Sequence, residues 1–370
     1  MKKIRLLILP LAFIFSLCTN SHKEFSNEID SYFSEIFPEN QPGGAVLIMK
    51  GEKIIFQEGY GIADINTNEK VTPNTIFNVG SLSKTFVANG ILILAQDKKL
   101  SINDNILKHF PDFKNKALAT GVLLEHMLSH TSGLVDSRNV MSDSVYWLTA
   151  KDIENWEPIK HNDSLYFPSG EMFLYSNPAY NGLALIIENL SGMKWQSFIK
   201  ERIFGPSNMP KSTITDGPHP ESGVAHAYTQ VGDNFIEFDY NEFPTFGAAG
   251  NGGIWSSVKE LANYEIALRK AAFLNQDLIK KSREVFAPEN WNSNIPPGIG
   301  YSWFLWKEGE TQYVGHTGHQ GGFVCDYVSI PEQEILYVYL SNTVKPIREY
   351  RAKVIKLLKE YDLFEVTSDE

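Results

Sequence analysis

The sequence predicts an α+β chain in which one antiparallel sheet is built from both chain ends and a mostly helical segment is inserted between them. Three observations predict it. The early stretch "GGAVLIMKGEKIIFQEGYGIAD" holds two apolar runs joined by "KGEK", the pattern of a β-hairpin. From Leu100 to about Leu190 the signals are mostly helical, broken by loops such as "SGLVDSRNVMSDSVYW". Late in the chain "GYSWFLW", "TQYVGHTG", "GGFVCDYVSIP" and "EILYVYLSN" are short aromatic and β-branched runs separated by turns, and "REYRAKVIKLLKEY" closes with a helix. The expected division is a sheet domain from 24–80 and 250–362 and a mostly helical domain from 81–249, whose Gly205 to Gly253 loops frame a cleft.

In chain order, the first element is a leader, residues 1–18. Lys2, Lys3 and Arg5 precede an apolar run from Leu6 to Leu17, and "CTNSHKE" turns polar, the layout of a secretory signal. The run is shorter than the roughly 20 residues that span a bilayer. Cys18 follows it directly, like the anchored cysteine of a bacterial lipoprotein. Leu17, however, stands where that signal wants a small residue, so lipidation at Cys18 and simple cleavage are both open. Either route predicts export to the periplasm or cell envelope, lipid-anchored or otherwise secreted.

The formal net charge is −11, and loss of Lys2, Lys3 and Arg5 makes the chain more acidic still, which argues against nucleic acid as a partner. The only other cysteine, Cys325, lies inside an apolar run and reads as a small buried hydrophobe. Neither a disulfide framework nor a cysteine metal cluster is available, and no cofactor is implied.

"EFSNEIDSYFSEIF", Glu24 to Phe37, has helical apolar spacing. After the hairpin comes "NVGSLSKTFVANGILILA", whose segment from Leu82 to about Gln96 is apolar on nearly every side and is expected to be a buried helix. Lys84 stands in its first turn, where a cation faces the positive end of the helix dipole and costs some tenths of a kcal/mol. Ser81, three residues earlier, shares its face. Burial and the dipole both lower a lysine's pKa from ~10.4, and a neutral amine can take a serine's proton. The same helix end offers a backbone N–H to a developing oxyanion.

Spacing alone proves little, because Ser191/Lys194, Ser197/Lys200 and Ser256/Lys259 share it. Those pairs are explained as caps and solvated surface; Ser256 precedes "SSVKEL", where Ser257 and Glu260 are expected to make a capping box. Two further stretches hold candidate partners. "FPSGEMFLYSNPAY" carries Tyr175 and Asn177, two apart and so on one side of an extended segment, with Asn177 also an N-cap candidate before Pro178. "YVGHTGHQGGF" places His316, Thr317 and Gly318 on a late strand, where glycine marks close approach of a ligand or another backbone.

"SLSK", "YSN" and "HTG", in this order and wide spacing, resemble the three motifs of the penicillin-recognising serine hydrolases: class C β-lactamases, D-Ala-D-Ala carboxypeptidases, D-aminopeptidases and related esterases. "HMLSHTSGL" and "AAGNGGIWSSVKELANY" are similar to further segments of that family, and the likeness runs from about Ser31 to Leu358. The resemblance implies a β-lactamase-like (transpeptidase-like) fold and an acyl-enzyme hydrolase. It implies Ser81 as nucleophile, Lys84 as the group that accepts its proton, and Tyr175 as the phenol that passes a proton to the leaving group. Asn177 would position the substrate amide and Thr317 its carboxylate end, while the His319 N–H would complete an oxyanion hole with that of Ser81. The substrate would be a small peptide, ester or β-lactam-like molecule.

Two departures shape that expectation. His316 takes the place of the lysine usual in the lactamases, and a histidine neutral near pH 7 gives up a fixed charge for an anionic carboxylate. His319 stands where a small residue is commoner. Peptidase or esterase chemistry is therefore favoured over lactamase chemistry, and a catalytically silent envelope-binding protein is the alternative from another class. His126 and His130, four apart, could share a helix face as zinc ligands, but the glutamate precedes the first of them, which is not the metalloprotease order. His130 before "TSG" is expected to suit the negative end of a helix dipole, and His316 and His319 to point to opposite faces of their strand.

Overall fold

The computed structural model describes residues 11–138, 144–217, 219–220, 222–237, 247–286 and 298–364. Its main sheet has seven strands, numbered here in chain order: β1 (Gly44–Lys50), β2 (Lys53–Tyr60), β3 (Gly298–Ile299), β4 (Phe304–Glu308), β5 (Thr311–Gln320), β6 (Phe323–Ile330) and β7 (Ile335–Ser341). The spatial order is β3-β4-β5-β6-β7-β1-β2, antiparallel throughout, so the early hairpin completes the late meander. Gly51 supplies the left-handed residue of the β1–β2 turn, at φ 60.

The helices that bear on the site are α1 (Leu11–Ile36), α2 (Ser83–Gln96), α3 (Leu124–Leu128), α4 (Asp152–Lys160), α5 (Asn177–Ser191), α6 (Val258–Arg269) and α7 (Ile347–Glu360). The helix expected from Glu24 begins earlier, at Leu11. Residues 1–10 of the expected leader lie outside the described residues. Among the described residues no helix is long and apolar enough to cross a membrane.

Side chains alternate across a strand, and here both sets are buried. Val46, Ile48, Val328, Tyr337 and Tyr339 meet Phe25, Ile29 and Phe33 of α1 and Val354, Leu357 and Leu358 of α7 on the back face. Leu47, Met49, Cys325, Tyr327, Val338 and Leu340 join the front core with α2 and α6. Two-sided cover explains why β7 is buried at every position, "ILYVYLS", and reads as a continuous apolar run. Cys325 is fully buried in that core.

α2 is the central helix, and every residue from Ser83 to Leu94 is buried. Phe86, Val87, Ile91, Leu92, Ile93 and Leu94 are fully enclosed, each contributing ~1.5–3 kcal/mol against exposure. That sum outweighs the few tenths lost by a lysine at its start, so the sequence can hold Lys84 there.

One expectation fails by half. Ser257 Oγ accepts from Glu260 N at 3.2 Å, but the Glu260 carboxylate accepts from the backbone N–H groups of Lys211 and Ser212 and from Ser212 Oγ instead of returning to Ser257. A long-range loop has claimed the carboxylate that a local motif would use.

Candidate active site

Ser81 sits on a single 3₁₀ turn, Gly80–Leu82, that leads into α2. Two glycines press this turn against β5. Gly80 has φ 52, and a Cβ there would lie 2.6 Å from His319 N; a Cβ on Gly318 would lie 1.9 Å from Val79 O. Any side chain at either position would therefore push the serine away from the strand. Asn78 Oδ1 accepts from Gly80 N at 2.7 Å, and Ser83 Oγ accepts from Ile254 N at 3.0 Å, which ties the turn on both sides.

Ser81 is part-exposed, whereas Lys84 is fully buried. Lys84 Nζ donates to Ser81 Oγ at 3.1 Å and to the Asn251 carbonyl at 2.7 Å, and it lies 5.0 Å from the Tyr175 ring centroid and 5.8 Å from that of Tyr180. Burial, with the Arg138 charge adding to it, holds its pKa well below the ordinary lysine value. With the amine neutral, the same 3.1 Å line lets the Ser81 hydroxyl donate to the nitrogen lone pair.

The Asn251 carbonyl is itself held. Asn251 Nδ2 donates to Asn181 Oδ1 at 3.0 Å, Asn181 Nδ2 donates to Asp152 Oδ1 at 2.6 Å, and Gly250 N donates to the same oxygen at 2.8 Å. Trp195 Nε1 donates to Asp152 Oδ2 at 2.9 Å. Burial pushes the Asp152 carboxyl up to about 6. Sequence reading missed this chain of residues, which spans α4, α5 and the turn at Gly250; only the glycine-rich "AAGNGGIW" signalled a close approach.

Tyr175 brings its hydroxyl to a buried position with no hydrogen-bond partner among the described residues, and burial raises its pKa while the nearby Ser81 acts in the opposite sense. Asn177 is not the cap expected for α5. Ser176 is, its Oγ accepting from Ala179 N at 3.3 Å, so Asn177 is the first helical residue and its carboxamide makes no hydrogen bond among the described residues. Freed from capping, it stands part-buried beside Tyr175.

β4 ends its pairing at Phe304, opposite Gly315, so His316 to Gln320 are paired on the β6 side only. The strand thus offers an open edge next to Ser81. His316 is buried with its cross-strand partner Tyr327 in the front core, whereas His319 is exposed and pairs with Val324 of the back core; the two rings do face opposite ways. His316 Nδ1 lies 2.6 Å from the Thr317 carbonyl, which can only accept, so Nδ1 carries the proton and Nε2, buried without a partner among the described residues, presents a lone pair. Burial, then the nearby Lys84, lowers its pKa to about 3, and the ring is neutral at pH 7. Thr317 is exposed.

The two tempting histidines part company. His126 Nδ1 accepts from Leu123 N at the start of α3, while His130 Nδ1 accepts from Ser176 N. Nor does His130 serve a helix dipole as a cation. It is fully buried, and desolvation together with Lys84 and His316 holds its pKa well below 6.5. Of the look-alike pairs, Lys194, Ser197, Lys200 and Lys259 are exposed, and Ser256 is buried on a short strand with its Oγ 2.9 Å from that of Ser212.

Residues 34–360 match the family described as Beta-lactamase. The chain belongs to that family of serine hydrolases. It is similar to Penicillin-binding protein 4* of Bacillus subtilis, 28% identical over 89% of this chain and 74% of that one. It is also similar to Protein flp of Staphylococcus aureus strain MW2, 25% identical over 86% of this chain, and spans only 62% of that relative's length. Among solved structures, the fold is shared with the octameric penicillin-binding protein homologue from Pyrococcus abyssi, at TM-score 0.77, 24% identity, and 90% and 77% coverage. The D-amino acid amidase from Ochrobactrum anthropi SV3 shares it at TM-score 0.77, 20% identity, and 93% and 99% coverage. The expected β-lactamase-like fold is the observed one.

Proposed function

We propose that this chain is an exported hydrolase that opens an amide or ester bond through an acyl-enzyme on Ser81. The observation that carries the reading is a fully buried lysine 3.1 Å from a part-exposed serine, with no carboxylate among the described residues acting on it. In the forward step Ser81 Oγ attacks the carbonyl carbon, its proton passes to Lys84 Nζ, and the Ser81 and His319 N–H groups receive the charge that builds on the carbonyl oxygen. The proton taken up by Lys84 Nζ passes through Tyr175 Oη to the leaving group, which departs as amine or alcohol, so Lys84 is neutral and Tyr175 is a phenol again. Water then attacks the ester and frees Ser81. The acyl donor lies along the open edge of β5, with Asn177 on its amide and Thr317 and His316 at its far end.

A small peptide with a D-amino-acid-like residue is the favoured substrate, in keeping with the D-amino acid amidase and penicillin-binding proteins among the relatives. A carboxylesterase is the second reading, favoured by a neutral, buried His316 that brings no fixed positive charge for a carboxylate. The same absence sets a β-lactamase third. Export would follow from the leader, with membrane attachment through a lipidated Cys18 as one form of it.

Purified protein and its Ser81→Ala variant, each treated with a fluorescent penicillin and a fluorophosphonate, test the reading. A Ser81-dependent adduct with both supports the peptidase; fluorophosphonate alone favours the esterase. No Ser81-dependent adduct with either leaves only a binding protein.

A further inference from the structure

His130 has no part in the chemistry just described, yet it touches three consecutive residues around the phenol. Its carbonyl accepts from Leu174 N at 2.9 Å and its Nδ1 accepts from Ser176 N at 3.0 Å, so the residues on either side of Tyr175 are both tied to it. Its ring stacks on the Tyr175 ring, with centroids 4.2 Å apart and planes 27° from parallel, and lies 5.0 Å from the Tyr180 ring. The backbone that allows this is left-handed, at φ 56, a region that histidine, with asparagine and aspartate, enters more readily than other residues with a side chain. The next turn is pinned as well, since Gly170 N donates to the Thr131 carbonyl at 2.8 Å.

We propose that His130 is a positioning residue for Tyr175, holding the phenol oxygen at Ser81 and Lys84 through a ring stack and paired backbone hydrogen bonds. The inference rests on Ser81 acylation as read above and deepens it. Because Nδ1 accepts, the ring proton is on Nε2, which is buried without a partner among the described residues. A protonated ring would lose the Ser176 bond, and burial, with Lys84 and His316 nearby, keeps it neutral. A residue kept only for packing needs no acceptor aimed at the Ser176 N–H. Leucine or methionine would fill the same space at lower desolvation cost.

The test is a double-mutant cycle on Ser81 acylation, measured as the second-order rate of labelling by a fluorophosphonate. His130→Phe keeps a ring and loses the acceptor. It is expected to slow labelling about 10–100-fold, as a misplaced group does, and Tyr175→Phe is expected to slow it at least as much. The two together are expected to be no slower than Tyr175→Phe alone, since a residue that acts through the phenol has nothing left to position. Labelling of His130→Phe at the wild-type rate overturns the inference, as do losses that multiply in the double variant, or a Tyr175→Phe variant that labels normally. If His130→Phe does not fold, His130→Asn, which tolerates the left-handed backbone, takes its place in the cycle. Wild-type protein that never labels at Ser81 fails the functional reading itself, a separate result.

Discussion

Two fully buried ionisable groups, Glu265 and Lys84, are treated in opposite ways. Glu265, on α6, is fully enclosed, yet Arg269 Nε reaches it at 2.9 Å, Arg283 at 3.7 Å, Tyr327 Oη at 2.5 Å and Ser329 Oγ at 2.6 Å. Burial raises its pKa, but the two guanidinium groups and two hydroxyls more than offset that, and the carboxyl ends below its ordinary value. Lys84, equally enclosed, has a carbonyl, a hydroxyl and two aromatic rings, but no carboxylate among the described residues. A charge that serves the fold is surrounded by partners that keep it charged. Lys84 is left to lose its charge, and only in that neutral form could it act as the base proposed above.

The sharpest way to break this contrast is Lys84→Met, which keeps volume and removes the amine. Ser81 acylation should fall by roughly 10²–10⁴, the worth of a general base, while the thermal midpoint stays level or rises because a buried amine with no counter-charge among the described residues is gone. A lower midpoint would mean that Lys84 supports the fold as Glu265 does. Glu265→Ala is the mirror experiment. Removing one member of a buried ion cluster costs about 3–5 kcal/mol, so urea denaturation should show a large loss of stability, with the labelling rate per folded molecule unchanged.

Acidity sharpens the same contrast. Acylation needs the neutral amine, so its rate should rise as pH climbs through the native Lys84 value and be level well below ~10.4, where an ordinary lysine would only begin to lose its proton. The stability contribution of Lys84 is present above ~10.4 and is lost as pH falls through the native value, since the unfolded chain then binds a proton that the native amine refuses. Asp152 has the opposite sign. Its carboxyl is raised to about 6, so its contribution is present below ~3.9 and lost as pH rises through 6. Wild-type protein compared with Asp152→Asn in urea from about pH 4 to 7 should show a stability difference that drifts in that direction. A flat difference would mean that the carboxylate network, rather than burial, sets the charge.

The smallest effect is expected at a look-alike. Lys194 shares the serine spacing but forms an exposed pair with Glu188 at 2.7 Å, its side chain 74% accessible. Lys194→Ala should change stability by less than ~1 kcal/mol and leave Ser81 labelling at the wild-type rate.

Much of this was legible in the chain because it depends on local period. Strands of alternating or continuous apolar residues, the "KGEK" turn and the all-round apolar α2 each follow from neighbours within a few positions. The Ser81 to Lys84 spacing did too, though Ser191/Lys194 and its fellows show that spacing without burial says nothing about chemistry. Local rules failed where a distant group offered a better partner: Ser176 took the cap assigned to Asn177, Lys211 and Ser212 took Glu260 from its box, and Tyr175 took His130 from the helix end.

By itself, then, the sequence determined that both chain ends make one antiparallel sheet, that a buried helix opens on Ser81 and Lys84, and that Tyr175, Asn177, His316 and Thr317 carry polar groups on segments able to close around them. Only the tertiary structure decided that Lys84 is held by the Asn251 carbonyl, that β5 has an open edge past Gly315, and that His130 lies flat on Tyr175. The reason is physical. Periodicity is set by residues a turn or a strand apart, whereas desolvation, which removes the charge from Lys84, is the summed effect of every segment packed around it.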